Sequence, residues 1–322
     1  MHEHGTISRS TMIAMYGECS VQNTQKKAYI RRHTIPAVRT GCLRVNTRLS
    51  MCCLRAIRTT NQLWLRVLKH RIMVEAFFFT IFEGLPRQGP GLDEYTARAF
   101  HTVPYLPKNA RILDIGCGSG MQTLMLARLS PSAAIIACDI HQPFLDDVNE
   151  RARKAGLDGR ITTMRASMDD LPFPDESFDL IWAEGSAFVM GFWEALNSWR
   201  RLLKPGGYMA LSDLVWFTRT PTQECRQFFA QEYPAMVHEE DAQRMIRDAG
   251  YSILDTIRLP DAAWWDHYYI PLSRRLEVLK KQYPDDREVQ ALLASLEVEI
   301  EVFRNHSREY GYSFFIARKG EG

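Results

Sequence analysis

Ile112-Leu-Asp-Ile-Gly-Cys-Gly-Ser-Gly120 is a short apolar run that ends in glycines at 116, 118 and 120. A strand end followed by closely spaced glycines lets the main chain turn tightly and approach a ligand without side-chain obstruction. The helix expected to start near Gly120 aims its free N–H groups at the same space. A dinucleotide loop uses Gly-x-Gly-x-x-Gly, and the position of its third glycine is Met121 here, so the spacing turns the reading away from NAD. Taken alone, the run also reads as a tight structural turn.

Downstream, Asp139 closes the apolar run Ala-Cys-Asp-Ile, at a distance from the loop where an acid accepts hydrogen bonds from both ribose hydroxyls of a nucleoside. The same acid also reads as a cap for the following helix. Short apolar runs at 111–115, 134–140, 161–166, 178–183 and 208–212 have the character of buried parallel strands. They alternate with helical stretches near 120–129, 142–155 and 187–203, which predicts a doubly wound α/β sheet. Short helices are expected at 73–83 and 92–103, flanking the turn Arg87-Gln-Gly-Pro-Gly91. After 212 the rhythm changes to helices at 221–231 and 239–249, a strand at 251–258, an aromatic segment at 264–269, a helix at 285–308 and a last strand at 312–317. In the 285–308 helix Val289, Leu292, Leu293, Leu296, Ile300 and Phe303 follow helical spacing, the mark of a core-facing stripe.

Charge is unevenly spread. Residues 1–72 carry 13 Lys/Arg and two acids, Glu3 and Glu18, a net +11, whereas 73–322 are net −9. An acidic main domain without a basic stripe argues against a nucleic-acid partner. Residues 1–72 lack sustained periodicity and hold four of the seven cysteines, and three readings stand for them: an organelle-targeting peptide, a basic arm, or sequence upstream of a true start at Met73. No cysteine spacing makes a CxxC pair or disulfide framework, and no HExxH, Cys/His cluster or EF-hand spacing indicates a metal. Apolar stretches such as 76–82 fall far short of the roughly 20 residues that cross a bilayer. The expectation is a cytoplasmic protein in a reducing compartment, with no membrane partner and with a homodimer left open as an assembly.

Asp170-Leu-Pro-Phe-Pro-Asp-Glu-Ser-Phe-Asp179, an apolar strand, and Leu203-Lys-Pro-Gly-Gly207 follow the glycine loop in that order. With these motifs, residues 108–215 resemble the core of class I S-adenosylmethionine (SAM)-dependent methyltransferases of the small-molecule, ubiquinone-biosynthesis-like type. Arg87-Gln-Gly-Pro-Gly91, Trp182-Ala-Glu-Gly185 and the segment from Trp264 to Tyr269 resemble a subgroup of uncharacterised bacterial methyltransferase-like proteins, extending the likeness over 73–322 with 216–322 as lid and C-terminal elements. The resemblance implies a mostly parallel Rossmann-like sheet with an antiparallel last strand, SAM as methyl donor and a small-molecule acceptor. Carried over, Gly116, Gly118 and Gly120 line the methionine and ribose part of the donor, Asp114 faces its amino group, and Asp139 with Ile140 meets the ribose side. The family's Gly-Asp before the adenine segment reads Ala166 and Ser167 here, leaving the Ser167 hydroxyl and the Met168 N–H to meet adenine. Arg87, with Gln88, is a candidate for the donor carboxylate. A base is needed only where the acceptor must lose a proton, and the candidates are Glu184, also placed beside the donor, His267 and Asp213. The alternatives are a non-catalytic SAM-binding sensor and an aminopropyl-type transferase using a SAM-like nucleoside.

Overall fold

Strands buried on both faces of a sheet must be apolar on both, and β1 (Arg111–Ile115) buries four of its five residues. In the computed structural model, which describes residues 77–320, β1 lies in a seven-stranded sheet with β2 (Ala134–Asp139), β3 (Ile161–Arg165), β4 (Phe178–Glu184), β5 (Leu203–Trp216), β6 (Tyr251–Arg258) and β7 (Tyr310–Lys319). The order is β3-β2-β1-β4-β5-β7-β6. The first five strands are parallel, and β7 runs antiparallel between β5 and β6. This is the expected mostly parallel sheet. The readings made for residues 1–72 lie outside the described residues.

Alternation along the strands divides the core in two. Ile112, Leu180 and Trp182 point to one face and pack with Leu124, Phe144 and Ile300. Leu113, Ile181 and Ala183 point to the other and pack with Leu196 and Ile246. The helices that cover the two faces of the sheet, among the described residues, are α1 (77–82), α2 (Asp93–Thr102), α3 (Met121–Leu129), α4 (Gln142–Lys154), α5 (Phe192–Arg200), α6 (Gln223–Glu232), α7 (Glu239–Asp248), α8 (Ile270–Gln282) and α9 (Arg287–His306). Helix α9 buries Leu292, Leu293, Leu296, Ile300 and Phe303 as its periodicity predicts, and Asp286 caps it by accepting from the N–H groups of Glu288 and Val289, both at 3.1 Å.

Two stretches differ from the sequence reading. Strand β5 begins at Leu203 rather than near 208, because Phe178 pairs with Leu203 before a register shift brings Leu180 opposite Tyr208. The bulge absorbs the Pro-Gly-Gly run, and Lys204 Nζ fixes it through both oxygens of Asp179 at 2.8 Å. The aromatic 264–269 segment is a π-helical stretch, Trp265–Tyr269, entering α8. Trp264, Tyr268 and Tyr269 are buried, with Trp264 stacked on Phe303 at 4.2 Å, so these rings form an inner wall. Among the described residues no helix is long and apolar enough to cross a membrane.

Candidate functional site

The strand order reverses direction between β1 and β4, and the loops leaving these strands diverge to open a crevice at the carboxyl edge of the sheet. A cavity of about 190 Å³ occupies that crevice. Its floor is the glycine loop. Gly116 sits at φ +70°, and a Cβ there would stand 2.5 Å from Ser186 Cβ, so only glycine lets the β1 and β4 loops come this close. Gly120 at φ +83° similarly meets Val148 of α4.

Asp139 holds this loop in shape: its Oδ2 accepts the Gly118 N–H and its Oδ1 the His141 N–H, both at 2.9 Å. Burial pushes its carboxyl above the ordinary range, against these hydrogen bonds, which favour the ionised form. Gln88 braces the far side, accepting from Ser119 N at 2.7 Å while its amide donates to the carbonyls of Phe82 and Leu85. Helix α1 roofs the cavity with Phe78, Phe79 and Phe82, and Phe79 stacks on His141 at 4.2 Å.

Gly116, Gly118, Asp139, Ile140, Met168, Glu184 and Arg87 all line the main cavity. A side cavity of about 80 Å³ shares Gly116, Asp139, Ile140 and Met168 and adds Ser167, whose hydroxyl is turned to Asp169. Met168 is fixed through its carbonyl, which accepts from Trp199 Nε1 at 2.9 Å. Gly120 and Asp114 stand behind the surface. Asp114 is fully buried, its Oδ2 accepts from Thr123 at 2.5 Å, and its Oδ1 has no partner. Burial, aided by the charges of Glu184 and Asp139, raises its pKa to about 7.

The three candidate bases are differently placed. Glu184 is buried at the cavity wall with both oxygens engaged: Oε2 by Arg87 Nη1 at 3.0 Å, Oε1 by the Thr96 hydroxyl at 2.6 Å and by Trp182 Nε1 at 2.9 Å. His267 is half-buried in the π-helical stretch and lines neither the main cavity nor its two neighbours. Asp213 is buried in β5, with its Oδ1 on the Leu214 N–H at 2.7 Å and its Oδ2 accepting from the Tyr233 hydroxyl at 3.2 Å. Burial lifts it to about 7. Arg87 is likewise spanned, by Glu184 and by Asp93 at 2.9 Å, but its Nε is buried without a partner.

Sequence reasoning missed the roles of Thr96, Trp182, Thr123 and Tyr233: Thr96 reaches Glu184 from 88 positions away, and the other three act through side-chain orientations that local pattern does not encode. It also missed a chamber of about 50 Å³ that shares Pro90 and Phe188 with the main cavity and has Tyr233, Trp264, Tyr269, Tyr310 and Tyr312 among its walls. Tyr310 gives no sign in sequence beyond a strand-like setting. Among the described residues, Cys225, His306 and Glu309 bring three potential metal-ligating groups together. There His306 bonds Glu309 at 2.9 Å and Glu224 at 3.3 Å, and burial pushes the Cys225 thiol up to about 12, an environment with no sign of a thiolate.

The pattern of a family described as "Methyltransferase domain" matches residues 112–207. The chain is 30% identical over 241 residues to 27-O-demethylrifamycin SV methyltransferase of Amycolatopsis mediterranei (strain S699), covering 71% of this chain and 85% of that one. It is 28% identical to O-methyltransferase resE of Aspergillus sclerotiorum over 65% of this chain and 75% of that protein. Among solved structures, a SAM-dependent methyltransferase from Geobacter sulfurreducens in complex with S-adenosylhomocysteine shares the fold with a TM-score of 0.65, at 20% identity over 74% of this chain and 96% of that one.

Proposed function

Because this chain belongs to the class I SAM-dependent methyltransferases, we propose that the small-molecule acceptor takes the methyl group on a hydroxyl oxygen, which attacks the methyl carbon as its bond to sulfur breaks. The enzyme uses SAM as donor and acts on a small molecule. The oxygen rests on the two O-directed relatives and on the proton route described below. The observation that carries the donor site is the Asp139 carboxylate locking the glycine loop at the sheet's switch point.

The donor's charged ends find complementary atoms. Arg87 Nε is a buried N–H without a partner, suited to a carboxylate, and Asp114, behind the cavity surface, meets the ammonium group through a bridging water. Asp139 and Ile140 border the ribose side, and Met168 with Ser167 the adenine side, in the adjoining side cavity. When bound, SAM supplies a methyl group already activated on a sulfonium, so the chain's work is to orient, to exclude water and to take a proton. The α1 phenylalanines and Phe188 exclude water. Glu184 serves as a positioning residue: with Arg87, Thr96 and Trp182 occupying its oxygens, it fixes the cavity wall rather than collecting a proton. A hydroxyl proton has a route from the chamber through Tyr233 to Asp213, whose carboxyl titrates in the neutral range.

Incubation with methyl-labelled SAM and a panel of alcohols, phenols, amines, thiols and carboxylates tests this reading. Labelled methyl ethers are the expected products. Label only on nitrogen or sulfur would refute the oxygen assignment, label released as methylthioadenosine with no methylated acceptor would favour the aminopropyl-type alternative, and donor binding without turnover on any acceptor would favour the sensor.

A further inference from the structure

The chamber behind Phe188 is unlike the donor cleft in its chemistry. Its walls carry two carboxylates, Glu232 and Glu299, and among the described lining residues no Lys, Arg or His. Around them stand the rings of Trp264, Phe228, Phe229 and Tyr312. Three other tyrosines supply hydroxyls with different fates. Tyr233 donates to Asp213, and Tyr269 donates to Glu299 at 3.1 Å. Tyr310 is 1% exposed, and its hydroxyl has no hydrogen-bond partner.

An unsatisfied buried hydroxyl is expensive, and folded proteins keep few of them without a use. Tyr310 cannot turn to find a partner. Its main chain is paired opposite Trp216 in β5, and its ring is wedged by Phe229 at 4.4 Å and by Phe303 at 5.9 Å. Burial, with Glu299 and Glu309 nearby, holds the phenol well above its ordinary pKa, so it stays a neutral donor. Pro90 and Phe188 line both spaces, so the chamber lies directly against the donor cleft.

Taking the methyl-transfer reading as its base, we propose that this chamber receives a compact, apolar, oxygen-bearing end of the acceptor, that the Tyr310 hydroxyl is its specificity-determining donor, and that acceptors presenting a carboxylate or phosphate at that end are excluded. The volume of about 50 Å³ fits a small branched alcohol-like group better than a fused ring. An anion entering so small a space would be stripped of water with no cationic side chain among the described lining residues to pair with it.

The test uses probes matched in shape. Crystals of the full chain with S-adenosylhomocysteine are soaked separately in isopropanol and in sodium isobutyrate. The expected maps show isopropanol in the chamber with its oxygen within hydrogen-bond distance of Tyr310 Oη, and no isobutyrate there. Isobutyrate in the chamber, or isopropanol absent or bonded elsewhere, overturns the proposal. In solution, Tyr310→Phe should weaken isopropanol binding about fivefold, the equivalent of one neutral hydrogen bond, with S-adenosylhomocysteine affinity unchanged. Equal isopropanol binding by the variant would overturn it. S-adenosylhomocysteine missing from the cleft would instead defeat the methyl-transfer reading, whereas its presence beside an empty chamber defeats this inference alone.

Discussion

At the scale of single residues, the site is governed by backbone conformations and buried carboxyls that few other side chains could replace. Gly120→Ala would place a Cβ 2.6 Å from Val148 Cγ2 at a φ of +83°. We expect it to destabilise the fold by about 1–3 kcal/mol, as denaturant unfolding would show. An unchanged midpoint would mean that the loop relaxes freely. Asp213 makes a different prediction. Its folded carboxyl keeps a proton up to about 7, whereas an unfolded chain loses it near pH ~4. Its contribution to stability is therefore greatest in acid, declines as pH rises from roughly 4 to 7, and is flat above. Asp213→Asn should remove that slope, so that between pH 5 and pH 7.5 the variant loses roughly 2 kcal/mol less stability than the parent. Parallel pH profiles for the two proteins would show that the carboxyl is not held protonated. Asp114 has the same sign and should leave a residual slope in the variant.

At the scale of elements, the Arg87–Glu184 pair joins the turn after α1 to the end of β4, and Thr96 of α2 closes the same carboxylate. Both partners are nearly dry, with side chains 5% and 3% exposed. Arg87→Met should cost about 3 kcal/mol, because it leaves a buried carboxylate without its cation. Arg87→Met with Glu184→Gln should recover a good part of the loss. Additive penalties in the double-mutant cycle would contradict a direct coupling. Elements also decide what could be read in advance. The strands β1 to β4 and helix α9 were legible because burial on two faces or one stripe leaves a periodic trace in the residues themselves. The start of β5 was not, since Lys204-Pro-Gly-Gly207 reads as a turn until Phe178 and Leu203 pair across the sheet. Glu184 was a candidate through the resemblance and its place after the fourth strand, and it lines the cavity. Its engagement by Arg87, 97 positions earlier, depends on packing that local pattern does not encode.

At the scale of the whole molecule, sheet order converts scattered residues into one site: the loops after β1, β2 and β4 meet at the carboxyl edge, and α1 and the C-terminal elements close over it. The candidate donor residues could be named from the sequence because the glycine loop and Asp139 lie close together in the chain. The chamber proposed for the acceptor could not be, because its walls come from Pro90, Phe188, α6, the π-helical stretch and β7 among others, which only the completed fold assembles. The central claim is that the glycine loop and Asp139 hold the methyl donor. Isothermal titration of the protein and its Asp139→Ala variant with S-adenosylhomocysteine tests it most directly. One site per chain is predicted for the parent, with affinity weakened by about 1–3 kcal/mol in the variant through lost hydrogen bonds; no binding by the parent, or equal affinity in both, would contradict the account.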